Sequence, residues 1–255
     1  MLRRMMMFKS SIRTSVLRGA IDALLAVVDE ARFNLKPDGV SVRAVDAANV
    51  AMVNLELSNS AFDTYSVDKD ITIGLDLTKF LDLLKMGNPD SECEMVLQDS
   101  SRLKIKMGSL NYHISLLEPS TIKREPKVPE IELPGEVILK GADFRQGIKA
   151  AEAIGDYLVI GIETKPQEVF FMEAEGDVDK VRLELSRDDL FSISVVGEEY
   201  VRSMFSIEYL KEMGRVIAGA DEVKLRIGND FPIDISFRLG EGHVRYLLAP
   251  RIEAD

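Results

Sequence analysis

Side chains that could carry covalent or metal chemistry are scarce in this sequence. It has two histidines, His113 and His243, and one cysteine, Cys93, among 255 residues. Both histidines fall in strand-like runs, and no paired-cysteine spacing or neighbouring carboxylate set accompanies them, so no metal site is expected. Cys93 cannot form an internal disulfide and reads as a small residue in a strand. There is no glycine-rich phosphate loop with its lysine and no nucleophile elbow. Asp and Glu total 43, which reads as a solvated acidic surface. An acidic hydrolase would need a converging carboxylate pair and a cleft, and the spacing offers neither. The expectation is therefore no enzyme, with no catalytic residue, metal or cofactor.

The basic residues are more informative. The formal net charge is −11, which as a whole repels phosphate. Arg18, Lys79, Lys85, Arg145, Lys149, Lys211 and Arg215 nevertheless all fall on predicted helices. The same helices carry Asp22, Asp82, Glu152, Glu208 and Glu212. Two readings stand side by side. These are ordinary solvated helix faces with local ion pairs, or one cationic surface making weak, sequence-independent phosphate contacts.

Four helices are predicted to position these residues. Ser15–Val28 places Val16, Leu17, Ala20, Ile21, Leu24 and Val28 at helical spacing. Leu77–Met86 is stopped by Gly87-Asn88-Pro89, Asp143–Ile154 follows, and Ser206–Ile217 has Ser206 as its N-cap. Around them run alternating strand-like segments, the first pair joined by the turn Lys36-Pro37-Asp38-Gly39. The order repeats. Ile21 matches Ile148, Phe80-Leu81 matches Tyr209-Leu210, and Leu116-Leu117-Glu118-Pro119 matches Leu247-Leu248-Ala249-Pro250. The chain thus reads as a duplicated module, residues 7–117 and 135–255, joined by a connector over 118–134. Prolines 119, 126, 129 and 134 should keep that connector extended on the surface.

Two helices and many strands per copy imply an α+β fold with helices covering one face of curved antiparallel sheets. Such sheets must dispose of their edges. Met107–Ile114 of one subunit and Val178–Leu185 of the next are the candidate edges for head-to-tail closure into a ring. No apolar run approaches the roughly 20 residues of a membrane span, and the composition fits a reducing cytoplasm.

The sequence resembles the proliferating cell nuclear antigen (PCNA) family, in its archaeal type. Met7-Phe8-Lys9 looks like the usual start, leaving residues 1–6 as an N-terminal extension. Ala20-Ile21-Asp22-Ala23-Leu24 through Phe33 is similar to the first helix and following strand. Asp38-Gly39-Val40, Ala44-Val45-Asp46 and Asn49-Val50-Ala51-Met52-Val53 resemble the amino-terminal signature. Leu247-Leu248-Ala249-Pro250-Arg251-Ile252-Glu253 is similar to the carboxyl-terminal one.

This resemblance implies a DNA-clamp (processivity) fold, a homotrimeric ring around double-stranded DNA, and a sliding clamp that tethers DNA polymerase and repair proteins. It implies DNA-facing roles for Arg18, Lys79, Lys85, Lys149 and Arg215, to which helical position adds Arg145 and Lys211. Leu25, Asp82 and Ala153 stand where many relatives are basic. It implies a partner-peptide pocket at Val45, Met52, Val128, Pro232, Leu247, Ala249 and Pro250. The implied peptide carries a glutamine, an aliphatic residue and two aromatics. Implied partners are the clamp loader (replication factor C), DNA polymerases, flap endonuclease and DNA ligase, in a cytoplasmic, nucleoid-associated setting. A subunit of a heteromeric, checkpoint-type clamp is the alternative within the same fold.

Overall fold

The computed structural model describes residues 7–99 and 101–252, so the N-terminal extension lies outside the described residues. The described residues divide into two compact units: those within 7–47, 53–126 and 239–244 form unit 1, and those within 48–52, 127–238 and 245–252 form unit 2.

The element order in the first half is β1 (Phe8–Arg13), α1 (Thr14–Leu25), β2 (Glu30–Lys36), β3 (Gly39–Val45), β4 (Ala51–Ser58), a 3-10 turn, β5 (Thr64–Val67), β6 (Ile71–Asp76), α2 (Leu77–Lys85), β7 (Glu92–Asp99), β8 (Arg102–Met107) and β9 (Leu110–Ser115). The second half repeats it: β10 (Gly135–Leu139), α3 (Gly141–Ala151), β11 (Tyr157–Glu163), β12 (Val169–Glu175), β13 (Lys180–Ser186), a 3-10 turn, β14 (Ser192–Val195), β15 (Tyr200–Ser206), α4 (Ile207–Ile217), β16 (Val223–Ile227), β17 (Ile233–Leu239) and β18 (Gly242–Leu248). Strand pairing repeats as well. The order β5-β1-β7-β8-β9 has its counterpart in β14-β10-β16-β17-β18, and β15-β11-β12-β13 is the counterpart of β6-β2-β3-β4. Identical pairing order over so many strands is the structural signature of a duplicated module.

Periodicity explains why these segments take these forms. In β8, Leu103, Ile105 and Met107 are buried and the intervening residues exposed, the period of two that a one-sided sheet requires. In α1 the buried residues include Leu17, Ala20, Ile21 and Leu24; in α3, Phe144, Gly147, Ile148 and Ala151 take the same spacing. Each set makes one apolar stripe. The helices pack as pairs within their units, α1 on α2 and α3 on α4, and each also contacts strands of its unit. Among the described residues no helix is long and apolar enough to cross a membrane.

The turn before β3 needs its glycine. Gly39 has φ 146°, and a Cβ there would lie 2.1 Å from the Leu57 carbonyl oxygen, a region of backbone space and a contact that only glycine tolerates.

Local details depart from the sequence reading. The first helix ends at Leu25 in a turn closed by Val27 and Val28 amides on the Leu24 carbonyl. The third begins at Gly141 and ends at Ala151. Ser206 occupies the N-cap of α4, but its side chain makes no capping hydrogen bond. The capping side chain of the pair is Asp76, which accepts from the Lys79 amide at 2.9 Å. Burial also moves one internal match: Phe80 takes the place of Leu210, third after the helix start in each copy, rather than that of Tyr209. Strands β1, β5, β6, β10 and β15 lie outside the strand-like runs read from the sequence.

Candidate nucleic-acid interface and partner pocket

The predicted cations sit on the helices, but their surroundings differ. Lys79 and Lys85 are exposed on α2, Lys149 on α3 and Arg215 on α4. Arg18 is half-buried on α1 and reaches across to the end of α2. Its Nε donates to the Leu84 carbonyl at 3.0 Å, and its Nη2 donates to the carbonyls of Leu84 and Gly87 at 2.5 and 2.6 Å. The Leu84 carbonyl also accepts from the Gly87 amide at 3.1 Å, and a guanidinium suits the negative pole at this helix end.

Carboxylates accompany most of the remaining cations. Lys79 pairs with Asp76 at 2.9 Å, Lys85 with Asp82 at 3.9 Å and Arg215 with Glu212 at 2.6 Å, each at i,i+3 spacing. Glu152, at the C-cap of α3, takes two partners: Arg145 of its own helix at 2.7 Å and Lys211 of α4 at 3.5 Å. Burial works against ionising Glu152, but the hydrogen bond and charge of Arg145, with help from Lys211, outweigh it and hold the carboxyl below its ordinary range. Asp22 goes the other way: burial raises it, against the opposing charges of Lys85 and Arg18. Lys149 makes no ion pair among the described residues. The cations thus lie on the helices as expected, and local ion pairs occupy most of them.

The predicted pocket residues divide between the units. In unit 2, Met52 and Leu247 are buried while Val128, Pro232, Ala249 and Pro250 are half-buried. The Ala249 amide donates to the Val50 carbonyl at 2.8 Å, bringing the short 48–52 segment beside the carboxyl-terminal one. Val45 is half-buried at the end of β3 in unit 1. Sequence reasoning missed Phe231, 50% exposed next to Pro232. An unexpectedly exposed aromatic cannot be recognised before burial is known.

Polar side chains hold the connector at both ends. In unit 1, Arg32 donates to the Ile122 carbonyl, the Lys123 ammonium donates to the Asp46 carbonyl at 2.8 Å, and Asn34 donates to Glu125 at 2.6 Å. Ile122 itself is buried. In unit 2, Arg226 donates to the Ile131 carbonyl at 3.2 Å. Arg226 also faces Asp234, a buried carboxylate that Arg245 grips through two 2.9 Å contacts.

The expected edges are present within the individual sheets. β9 ends the five-stranded sheet of unit 1, and β13 ends the four-stranded sheet of unit 2. Leu110, Tyr112 and Ile114 alternate as half-buried residues along β9, and Val181, Leu183 and Leu185 are half-buried along β13. His113 and His243 are both exposed, and no group of three potential metal ligands occurs among the described residues. Cys93 is buried in β7, where burial and then Glu94 push its thiol up to about 12, so it stays protonated and unreactive at neutral pH.

Comparison with known proteins agrees with this geometry. Residues 6–109 match the proliferating cell nuclear antigen N-terminal domain, and residues 127–252 match the corresponding C-terminal domain. The chain is 46% identical to the DNA polymerase sliding clamp of Methanococcoides burtonii and 48% identical to that of Methanosarcina acetivorans, covering 98% of this chain and 100% of each relative. Among solved structures, A. fulgidus PCNA bound to the C-terminal region of FEN-1 superposes with TM-score 0.90 at 35% identity, over 98% of this chain and 100% of that one. PCNA from Thermococcus kodakaraensis superposes with TM-score 0.88 at 25% identity, over 96% and 100%. The chain belongs to the proliferating cell nuclear antigen family of sliding clamps, which are processivity factors and not enzymes.

Proposed function

We propose that this chain closes into a homotrimeric ring around duplex DNA and tethers DNA polymerase and other replication and repair proteins to it. The observation that carries the reading is the duplicated unit, in which each copy pairs two cation-bearing helices on antiparallel sheets. Copies would join head to tail, β9 of one beside β13 of the next, a contact that would satisfy two strand edges at once. Residues 7–117 and 135–255 would act as the two clamp domains, with 118–134 as the connector between them.

A closed ring leaves duplex DNA only by opening or by reaching an end. Weak phosphate contacts from Arg18, Lys79, Lys85, Arg145, Lys149, Lys211 and Arg215 therefore suffice to centre the DNA without fixing the ring in register. A tethered polymerase gains a high effective concentration at the primer end. Partners would enter through short peptides whose aromatic anchors fill the apolar surface of Val45, Met52, Val128, Pro232, Leu247, Ala249 and Pro250. The A. fulgidus relative was solved with the C-terminal region of FEN-1, and a flap endonuclease tail is the first peptide to try. DNA polymerases and DNA ligase are expected to use the same surface. A clamp loader of the replication factor C class would supply ring opening.

Two measurements test this. Light scattering of the full chain should give three times the 28.5 kDa mass; a monomer would favour the heteromeric clamp instead. On primed circular DNA with cognate loader and polymerase, the chain should lengthen the products of each binding event, and unchanged product length would overturn the tethering role.

A further inference from the structure

Every helix cation named above has a local occupant except Lys149. Most of these occupants are weak competitors for phosphate. The i,i+3 pairs of Lys79, Lys85 and Arg215 hold cations whose side chains are 56–76% exposed, where solvent screening makes such pairs weak. Glu152 is different. Its side chain is 22% exposed, it faces an Arg145 that is 21% exposed, and it engages two cations on two helices at once. Gly214 favours this close approach: a Cβ there would lie 2.8 Å from Ile148 Cδ1 and 3.3 Å from Arg145 Cδ, so both side chains pass close to the bare backbone of α4. The ordinary range of a carboxylate is well below neutrality, and Glu152 is held lower still, so it is ionised under all working conditions.

We propose that Glu152 is a built-in brake on DNA affinity, a carboxylate that occupies Arg145 and Lys211 in place of phosphate and leaves Lys149 and the weakly paired Arg215 as the available cations of the α3–α4 pair. The proposal rests on the reading that these helices face DNA. Its effect is to keep the sequence-independent attraction of the ring for the duplex small. Phosphate must displace Glu152 to recruit either cation, and that exchange returns little net electrostatic energy.

The test is equilibrium binding of the full-length protein to a short linear duplex across a salt series, with trimer mass checked by light scattering. Glu152→Gln should bind more tightly at low salt, and its log–log salt slope should steepen by up to about 0.9 for each cation released. Lys149→Gln should weaken binding, while Lys211→Gln should change it little. In the Glu152→Gln background, Lys211→Gln should remove much of the gain. Unchanged or weaker binding by Glu152→Gln, with Lys149→Gln still costing affinity, would overturn the brake and leave the DNA-facing reading intact. No effect from combined Gln substitution of Lys79, Lys85, Lys149 and Arg215 would overturn that reading and the brake with it. Should Glu152→Gln fail to assemble, the two lysine variants decide alone: equal losses would sink the proposal.

Discussion

The two copies of the module place an arginine at the same point of their first helix and use it differently. Arg18 and Arg145 stand at matching positions, each four residues into a stripe that begins at Thr14 or Gly141. In unit 1 the residue matching Glu152 is Leu25, which offers no carboxylate. Arg18 therefore turns to the terminal carbonyls of α2. In unit 2 the carboxylate is present, and Arg145 takes it together with Lys211. Lys85 with Asp82 and Arg215 with Glu212 are, by contrast, the same i,i+3 pair in both copies. Buried stripes repeat between the copies, while the polar partners of the two arginines differ. The packing beneath differs too, because Leu84 of α2 stands where α4 has Gly214.

The largest effect should come from breaking the strand ends on which the two copies differ in role. Ile114→Asp in β9 and Val181→Asp in β13 should each abolish the trimer, raising the dissociation constant by at least about 30-fold if either position is an interface anchor. Mixed together, the two variants retain one compatible junction, so light scattering should find a dimer. A restored trimer from the mixture would show that closure uses other surfaces.

Next in size is the arginine pair itself. Arg18→Met leaves helix-end carbonyls without their charged donor and should cost about 1.5–3 kcal/mol in denaturant unfolding. Arg145→Met leaves Glu152 with Lys211 and should stay within about 1 kcal/mol. Equal costs would mean that the different partners carry no energetic difference.

The smallest contrast concerns the helix caps. Asp76→Ala should cost about 1 kcal/mol, and Ser206→Ala, whose hydroxyl caps nothing, a few tenths. The Asp76 effect should also be pH-dependent. Burial opposes its ionisation, but the Lys79 amide and ammonium outweigh that and lower its folded-state value. The stabilisation is thus fully present above the unfolded value of about 3.9 and is lost as pH falls through the lowered folded value. Unfolding curves of the wild-type chain and Asp76→Ala should converge in acid; a gap that persists there would exclude the charged cap as its source.

How much of this was legible beforehand depends on whether a residue's role is periodic. The helices were visible because Leu17, Ala20, Ile21 and Leu24 repeat at helical spacing whatever they pack against. The Lys36–Gly39 turn was visible because proline and glycine restrict the backbone locally. Strands β1 and β15 were not, because they bury polar residues: Ser10 and Ser11 in the first, Ser203 in the second. The Ser203 hydroxyl donates to the Gly228 carbonyl at 2.7 Å, and that distant acceptor is what makes a buried serine tolerable. Strand β5 has no fully buried residue, so no apolar stripe marks it.

By itself, then, the sequence determined the α+β class, the duplication, the lack of an enzymatic constellation and the helical location of the basic residues. These follow from local propensity and from apolar period, both of which act over a few neighbouring residues. Only the tertiary structure decided that Arg18 reaches the end of α2, that Glu152 bridges α3 to α4, and that Arg226 holds the connector at Ile131. Those contacts join residues 59 to 95 positions apart, or depend on which of several carboxylates lies within reach. Charge alone specifies neither partner nor direction; the packed helices and sheets bring one acceptor close and leave the others too far away.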